Sequence, residues 1–197
     1  MFRFNPAGGK NFHLIHPSAD VKSAALKSIR AAFEYQGQKC SALSRVYVPA
    51  SRAEEFKQVL VKETKALKMG EKFSDFLGPV INRSAYDRVS GYIEDAKKDP
   101  KITVIAGGVC DDSVGYFVEP TIVETQDPRA RFMSEEIFGP FMCLYVYDDA
   151  DYGPKIFELI DTTTEYALSG AVFSKDRQAV NEALDGLRFA AGNFYIK

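Results

Sequence analysis

Gly37-Gln38-Lys39-Cys40-Ser41-Ala42 is the stretch of this sequence best suited to chemistry. It sets a thiol directly after a lysine, just past a glycine that breaks a helical pattern. The nucleophilic form of cysteine is the thiolate, and a cationic neighbour favours it. Glycine permits a tight turn, which would bring the sulfur to a cleft and not to a packed core. Presented in this way, a thiolate can attack an electrophilic carbon. The plain alternative is a buried small hydrophobe, the common fate of a free cysteine. Lys39 could equally be a solvated surface lysine. Cys110 and Cys143 favour the plain reading: Cys143 lies within an apolar run, and the acidic neighbours of Cys110 would raise a thiol pKa. His13 and His16 stand three apart on a strand-like segment and so face opposite ways, which argues against a metal site. A cysteine hydrolase would need one of these two histidines as its base. Gly107-Gly108 lacks a helix at phosphate-loop spacing and reads as a turn.

The elements that must position Cys40 follow from hydrophobic periods that switch between two and 3.6. Strands are expected at Phe12–Ile15, Arg45–Val48, Ile102–Ile105, Thr121–Val123, Phe141–Tyr147, Ser169–Phe173 and Gly192–Ile196. Helices are expected over about 19–35 with Ser18 as N-cap, from Ser51 to Gly70, and over about 84–98, 152–161 and 177–189. Strands alternating with helices of this length predict an α/β fold, a mostly parallel sheet covered on both faces, in one domain. The seven apolar or aromatic residues of Phe141–Tyr147 suit the centre of that sheet.

Bulk properties narrow the partners. The 197 residues carry a formal net charge of -2, which gives no footprint for nucleic acid or an anionic membrane. No apolar run approaches the ~18 residues of a membrane span. Three cysteines without close spacing argue against a disulfide framework or a zinc site and for a reducing compartment.

Four stretches together resemble the aldehyde dehydrogenase superfamily: Gly8-Gly9-Lys10-Asn11, the Gly37–Ala42 motif, Glu135-Glu136-Ile137-Phe138-Gly139-Pro140, and Gly192-Asn193-Phe194-Tyr195-Ile196. Within it, Gly8–His13, Phe33–Ala42, Ala106-Gly107-Gly108 and Cys110–Pro120 resemble the branch that oxidises glutamate γ-semialdehyde to glutamate with NAD in proline catabolism. The resemblance implies the α/β catalytic domain of that family and a small-molecule aldehyde substrate. It implies Cys40 as the nucleophile that forms a thiohemiacetal and then a thioester, with its backbone N–H, at a turn into a helix, helping to hold the oxyanion. Glu136 matches the residue that binds the nicotinamide ribose hydroxyls and Phe138 the aromatic beside the nicotinamide, with Lys39 on the same cofactor side. Ser41 matches a contact to the substrate's α-carboxylate, although it could instead cap a helix after the nucleophile. A homo-oligomer is implied for the full-length family member, in the mitochondrial matrix of a eukaryote and otherwise in the cytoplasm.

Two departures weigh against unaided turnover. The family places its general-base glutamate two residues before the Gly-Gly pair, where this sequence has Pro6. The resemblance also leaves no room for the N-terminal NAD-binding domain or the C-terminal anchor loop and tail. The expectation is therefore a single catalytic domain over residues 1–197 that by itself oxidises aldehydes negligibly. The competing expectation is a non-catalytic relative kept for assembly or binding. Whatever precedes Met1 in the parent gene discriminates the two.

Overall fold

Asn11–Ile15 forms the strand β1, and its side chains are buried on both faces of the sheet it joins. The computed structural model describes residues 8–197, so Pro6 and the rest of the first seven residues lie outside the described residues. After β1 come α1 (Val21–Phe33), β2 (Leu43–Pro49), α2 (Ala53–Lys65), α3 (Arg83–Lys98) and β3 (Ile102–Ala106). The hairpin β4 (Cys110–Asp111) and β5 (Phe117–Val118) precedes β6 (Thr121–Thr125), the single turn α4 (Arg131–Ser134) and β7 (Phe141–Tyr147). The last elements are α5 (Pro154–Thr162), β8 (Ser169–Phe173), α6 (Arg177–Gly186) and β9 (Asn193–Ile196).

Seven strands pair in the order β3-β6-β7-β2-β1-β8-β9. All the pairings are parallel except β3 with β6, so the sheet is mostly parallel, as expected. β7 is interior, flanked by β6 and β2, but the middle place belongs to β2. Because successive side chains of a strand point to opposite faces, each interior strand feeds two cores. Phe12, Leu14, Tyr47 and Cys143 pack towards α3, α5 and α6, with Val89, Ile93, Ile160 and Leu187. Ile15, Val46, Val48 and Leu144 pack towards α1 and α2, with Ile29, Phe33, Phe56 and Leu60. Each of these large side chains contributes about 1.5–3 kcal/mol by leaving water. Among the described residues no helix is long and apolar enough to cross a membrane.

Helix ends differ from the expected ones where another polar group supplies the cap. Asp20, not Ser18, caps α1 by accepting from the Ser23 amide (2.9 Å), and the Ser18 hydroxyl accepts from the Lys175 amide (2.9 Å). The Ser51 hydroxyl is bound to Asp149 and does not cap α2, which begins after a 3₁₀ turn and ends at Lys65, short of Gly70. α6 stops at Gly186, where any Cβ would strike the Phe157 ring at 2.3 Å. Since β1, β2, β7 and β8 are parallel, the segments before them gather at one end of the sheet. Gly9, Cys40 and Phe138 all lie in those segments.

Candidate active site

The approach to Cys40 is strained. After α1, Tyr35 (φ 56°), Gln36 (φ 56°) and Gly37 (φ 63°) take consecutive left-handed conformations. Each non-glycine residue there costs roughly 1–2 kcal/mol, so surrounding contacts must hold the segment. Gly37 packs against two backbone carbonyls, those of Gly139 and Ala32. The Gln38 side-chain carbonyl accepts from the Ile81 amide (2.9 Å). Lys39–Ala42 is then a tight turn, closed by the Ala42 amide donating to the Lys39 carbonyl (3.0 Å). Cys40 and Ser41 are its exposed central residues. No helix follows, because β2 starts at Leu43. This corrects two expectations: Ser41 caps no helix, and the Cys40 amide does not open one.

The Lys39 ammonium donates to Glu34 (2.7 Å), which Arg30 also approaches (3.3 Å). The hydrogen bond from Lys39 and its charge hold the Glu34 carboxyl below its usual range. The cation expected to favour the Cys40 thiolate is thus shared with a carboxylate in a solvent-screened pair.

The loop before β7 supplies the other wall. Glu135 is taken by the Tyr92 hydroxyl (2.5 Å) and the Arg131 guanidinium (3.1 Å), and these bonds hold it below the usual carboxylate range. Glu136 instead accepts from the Gly9 amide (2.6 Å). Among the described residues this one bond leaves most of the carboxylate's acceptor capacity for a ligand. Phe138 is 39% exposed, and its backbone is left-handed at φ 58°. Arg88 steadies that strained loop by donating to the Ile137 (3.0 Å) and Phe138 (3.4 Å) carbonyls. Lys39, Glu136 and Phe138 border a crevice of only about 10 Å³. Ser41 lies on a different opening, a groove of about 320 Å³ over β8 and β9 with Lys27, Tyr195 and Lys197.

Gly9 joins the two walls. A Cβ on it would stand 1.9 Å from the Cys40 carbonyl oxygen, while its amide holds Glu136. The Cys40 backbone thus lies close to Gly9, whose amide holds the Glu136 carboxylate, and Glu136 shares a crevice with the exposed Phe138. A carboxylate can accept from neighbouring hydroxyls, and an aromatic face can meet a flat ring. Sequence reasoning gave no role to Asn11 or Arg88; the place of Asn11 two residues after a glycine pair was the available signal, and Arg88 left none.

The aldehyde dehydrogenase family profile matches residues 6–197. The mitochondrial delta-1-pyrroline-5-carboxylate dehydrogenases of Danio rerio and Homo sapiens are each 52% identical over 192 residues, 96% of this chain and 34% of theirs. The NAD-bound delta-pyrroline-5-carboxylate dehydrogenase of Mycobacterium tuberculosis superposes with a TM-score of 0.88 at 43% identity, over 96% of this chain and 34% of that one. A 1-pyrroline-5-carboxylate dehydrogenase from Thermus with bound NAD gives 0.87 at 32% identity, over 96% and 35%. The chain spans about a third of the length of these relatives. On the profile match and these identities, the chain belongs to the aldehyde dehydrogenase family.

Proposed function

We propose that this chain carries the catalytic domain of an NAD-dependent aldehyde dehydrogenase whose substrate is glutamate γ-semialdehyde, as in proline catabolism. The observation that carries the reading is Gly9, which abuts the Cys40 carbonyl and holds Glu136 through its amide. In this reading the Cys40 thiolate adds to the aldehyde carbon, the carbonyl π electrons move to oxygen, and a thiohemiacetal forms. Backbone N–H donors of the Lys39–Ala42 turn stabilise the oxyanion. Ser41 faces the substrate's α-carboxylate. Glu136 and Phe138 fit one end of NAD, the carboxylate for the ribose hydroxyls and the ring for the nicotinamide, with Lys39 beside them. NAD, when bound, supplies the hydride acceptor. The acyl group left on Cys40 must then be released by water, and the position of the expected base is Pro6.

The 197-residue polypeptide by itself is proposed to turn over negligibly. Holding cofactor and substrate in near-attack geometry supplies roughly 7–11 kcal/mol of a barrier, and the crevice of about 10 Å³ at Glu136 and Phe138 would meet no more than the nicotinamide end of NAD. General-base assistance, worth about 10²–10⁴-fold, has no carboxylate at position 6. For a eukaryotic source the proposed location is the mitochondrial matrix, otherwise the cytoplasm. Glutamate γ-semialdehyde is expected to protect Cys40 from iodoacetamide, read by peptide mass spectrometry, while NADH absorbance stays flat. Cys40-dependent NADH production would overturn the inactivity and keep the enzyme. Absence of protection would favour a second reading, a non-catalytic domain for assembly or binding, to which Pro6 already points.

A further inference from the structure

We propose that Asn11 is the positioning residue of the nucleophile turn, fixing Cys40 relative to the Glu136 wall through a four-bond amide clamp. The side chain is 4% exposed. Its Nδ2 donates to the Cys40 carbonyl (2.8 Å) and to the Ala42 carbonyl (2.7 Å), the two that flank Ser41. Its Oδ1 accepts from the backbone N–H (3.0 Å) and the hydroxyl (2.8 Å) of Ser169. Both N–H donors and both lone pairs of the amide are therefore used, the full capacity of an asparagine. The clamp ties the turn to β1 and β8 at once, and β1 begins at Asn11 itself.

The backbone makes room for this. Asn11 pairs with Leu43 and Phe12 with Arg45, so β2 carries one extra residue, Ser44, just after the turn that the amide holds. Two residues before Asn11, Gly9 touches the same Cys40 carbonyl and donates to Glu136. Gly9 to Asn11 is thus a short stiff bridge with the nucleophile turn on one side and the cofactor-facing carboxylate on its upstream end. An amide suits the task where its relatives in shape do not. Aspartate offers no N–H to two carbonyls, leucine offers no polar atom, and serine is too short to span both. The central residues of the turn are exposed, so the clamp, beside the Gly9 contact at the Cys40 carbonyl, is what ties them to the sheet.

The proposal rests on Cys40 being the nucleophile, and the test separates the two. Iodoacetamide alkylation of Cys40 is followed in the 197-residue chain with and without glutamate γ-semialdehyde, with Cys110 as internal reference and thermal unfolding alongside. In Asn11→Ser the protection of Cys40 by the aldehyde is expected to fall about tenfold, since small misplacement of a reacting group is costly. The Cys110 rate should stay unchanged. Ser169→Ala, which keeps the amide and removes one of its donors, should give a smaller loss in the same direction, and it carries the test if Asn11→Ser does not fold. Unprotected Cys40 in the unsubstituted chain would sink the nucleophile reading. Equal protection in that chain and both variants, with only the unfolding temperature lowered, would reduce Asn11 to a structural staple and overturn the proposal.

Discussion

Gly37 lies directly on Gly139: a Cβ built on Gly37 would stand 2.3 Å from the Gly139 carbonyl oxygen and 2.8 Å from that of Ala32. This contact joins the segment before the nucleophile to the segment after Phe138. Gly37 is also left-handed, so an added methyl meets both backbone strain and two fixed carbonyls. Gly37→Ala should cost about 2 kcal/mol or more, roughly 4–8 °C in Tm for a chain of this size. Thermal unfolding checks this, and a Tm within a degree of the parent would show that the two loops separate freely.

Cys40 should be the first of the three thiols to react. It is exposed, Cys110 is half-buried and Cys143 is buried. Burial raises the Cys110 thiol and pushes that of Cys143 up to about 12, so both are poor sources of thiolate near neutrality. Limiting iodoacetamide at pH 7.5, followed by peptide mapping, should place most of the label on Cys40. Preferential modification of Cys110 would contradict the exposure argument.

The strands were legible because burial on both faces leaves near-continuous apolar runs, and Phe141–Tyr147 and Ser169–Phe173 have the expected limits. Of the proposed site, the sequence singles out Cys40, Glu136 and Phe138 through their motifs. What escaped the sequence depends on distant partners. Ser51 reads as a helix cap until Asp149, 98 residues away, takes its hydroxyl. Lys39 reads as an activating cation until Glu34 takes its ammonium. Asn11 reads only as the end of the Gly8–Asn11 motif, just ahead of the strand expected at Phe12, and only the fold brings Cys40, Ala42 and Ser169 around it. The two-residue strands β4 and β5 are too short to carry a period.

His13 makes acid stability a local question. Burial, with a smaller effect of the Lys197 charge, lowers its pKa from 6.5 to about 3, while its Nδ1 meets the Ser28 hydroxyl (2.9 Å) and its ring packs on Phe173. The unfolded chain therefore binds a proton that the folded chain refuses between about pH 6.5 and 3. Stability from the neutral ring is complete above 6.5 and is lost as pH falls through that window. Denaturant titrations at pH 7 and pH 5.5, above most carboxylate titrations, should show the parent losing more than His13→Leu. Equal losses would mean the imidazole charges without unfolding.

Lys10 acts with the same sign in a higher window. Lys10 is 1% exposed, and among the described residues its Nζ has no hydrogen-bond partner. Its backbone carbonyl accepts from buried Arg45 (2.8 Å). Burial, helped by the Arg45 cation, brings its pKa from 10.5 down to about 7, against the opposing pull of Cys143, Glu135 and Glu136. Below about pH 7 folded and unfolded chains both carry the proton, and the cost of burying an ammonium is felt in full. Between about 7 and 10.5 the unfolded chain binds more protons than the folded one, so stability rises with pH. Above 10.5 both are neutral and the cost is gone. Methionine has a similar reach without the charge. Lys10→Met should therefore stabilise the fold by a few kcal/mol at pH 6.5, and that advantage should shrink steadily towards pH 10. Denaturant midpoints of the two chains across this range check it. A difference that does not vary with pH would mean that Lys10 has the same charge in the folded and unfolded chain, and that its ammonium is hydrated within the fold.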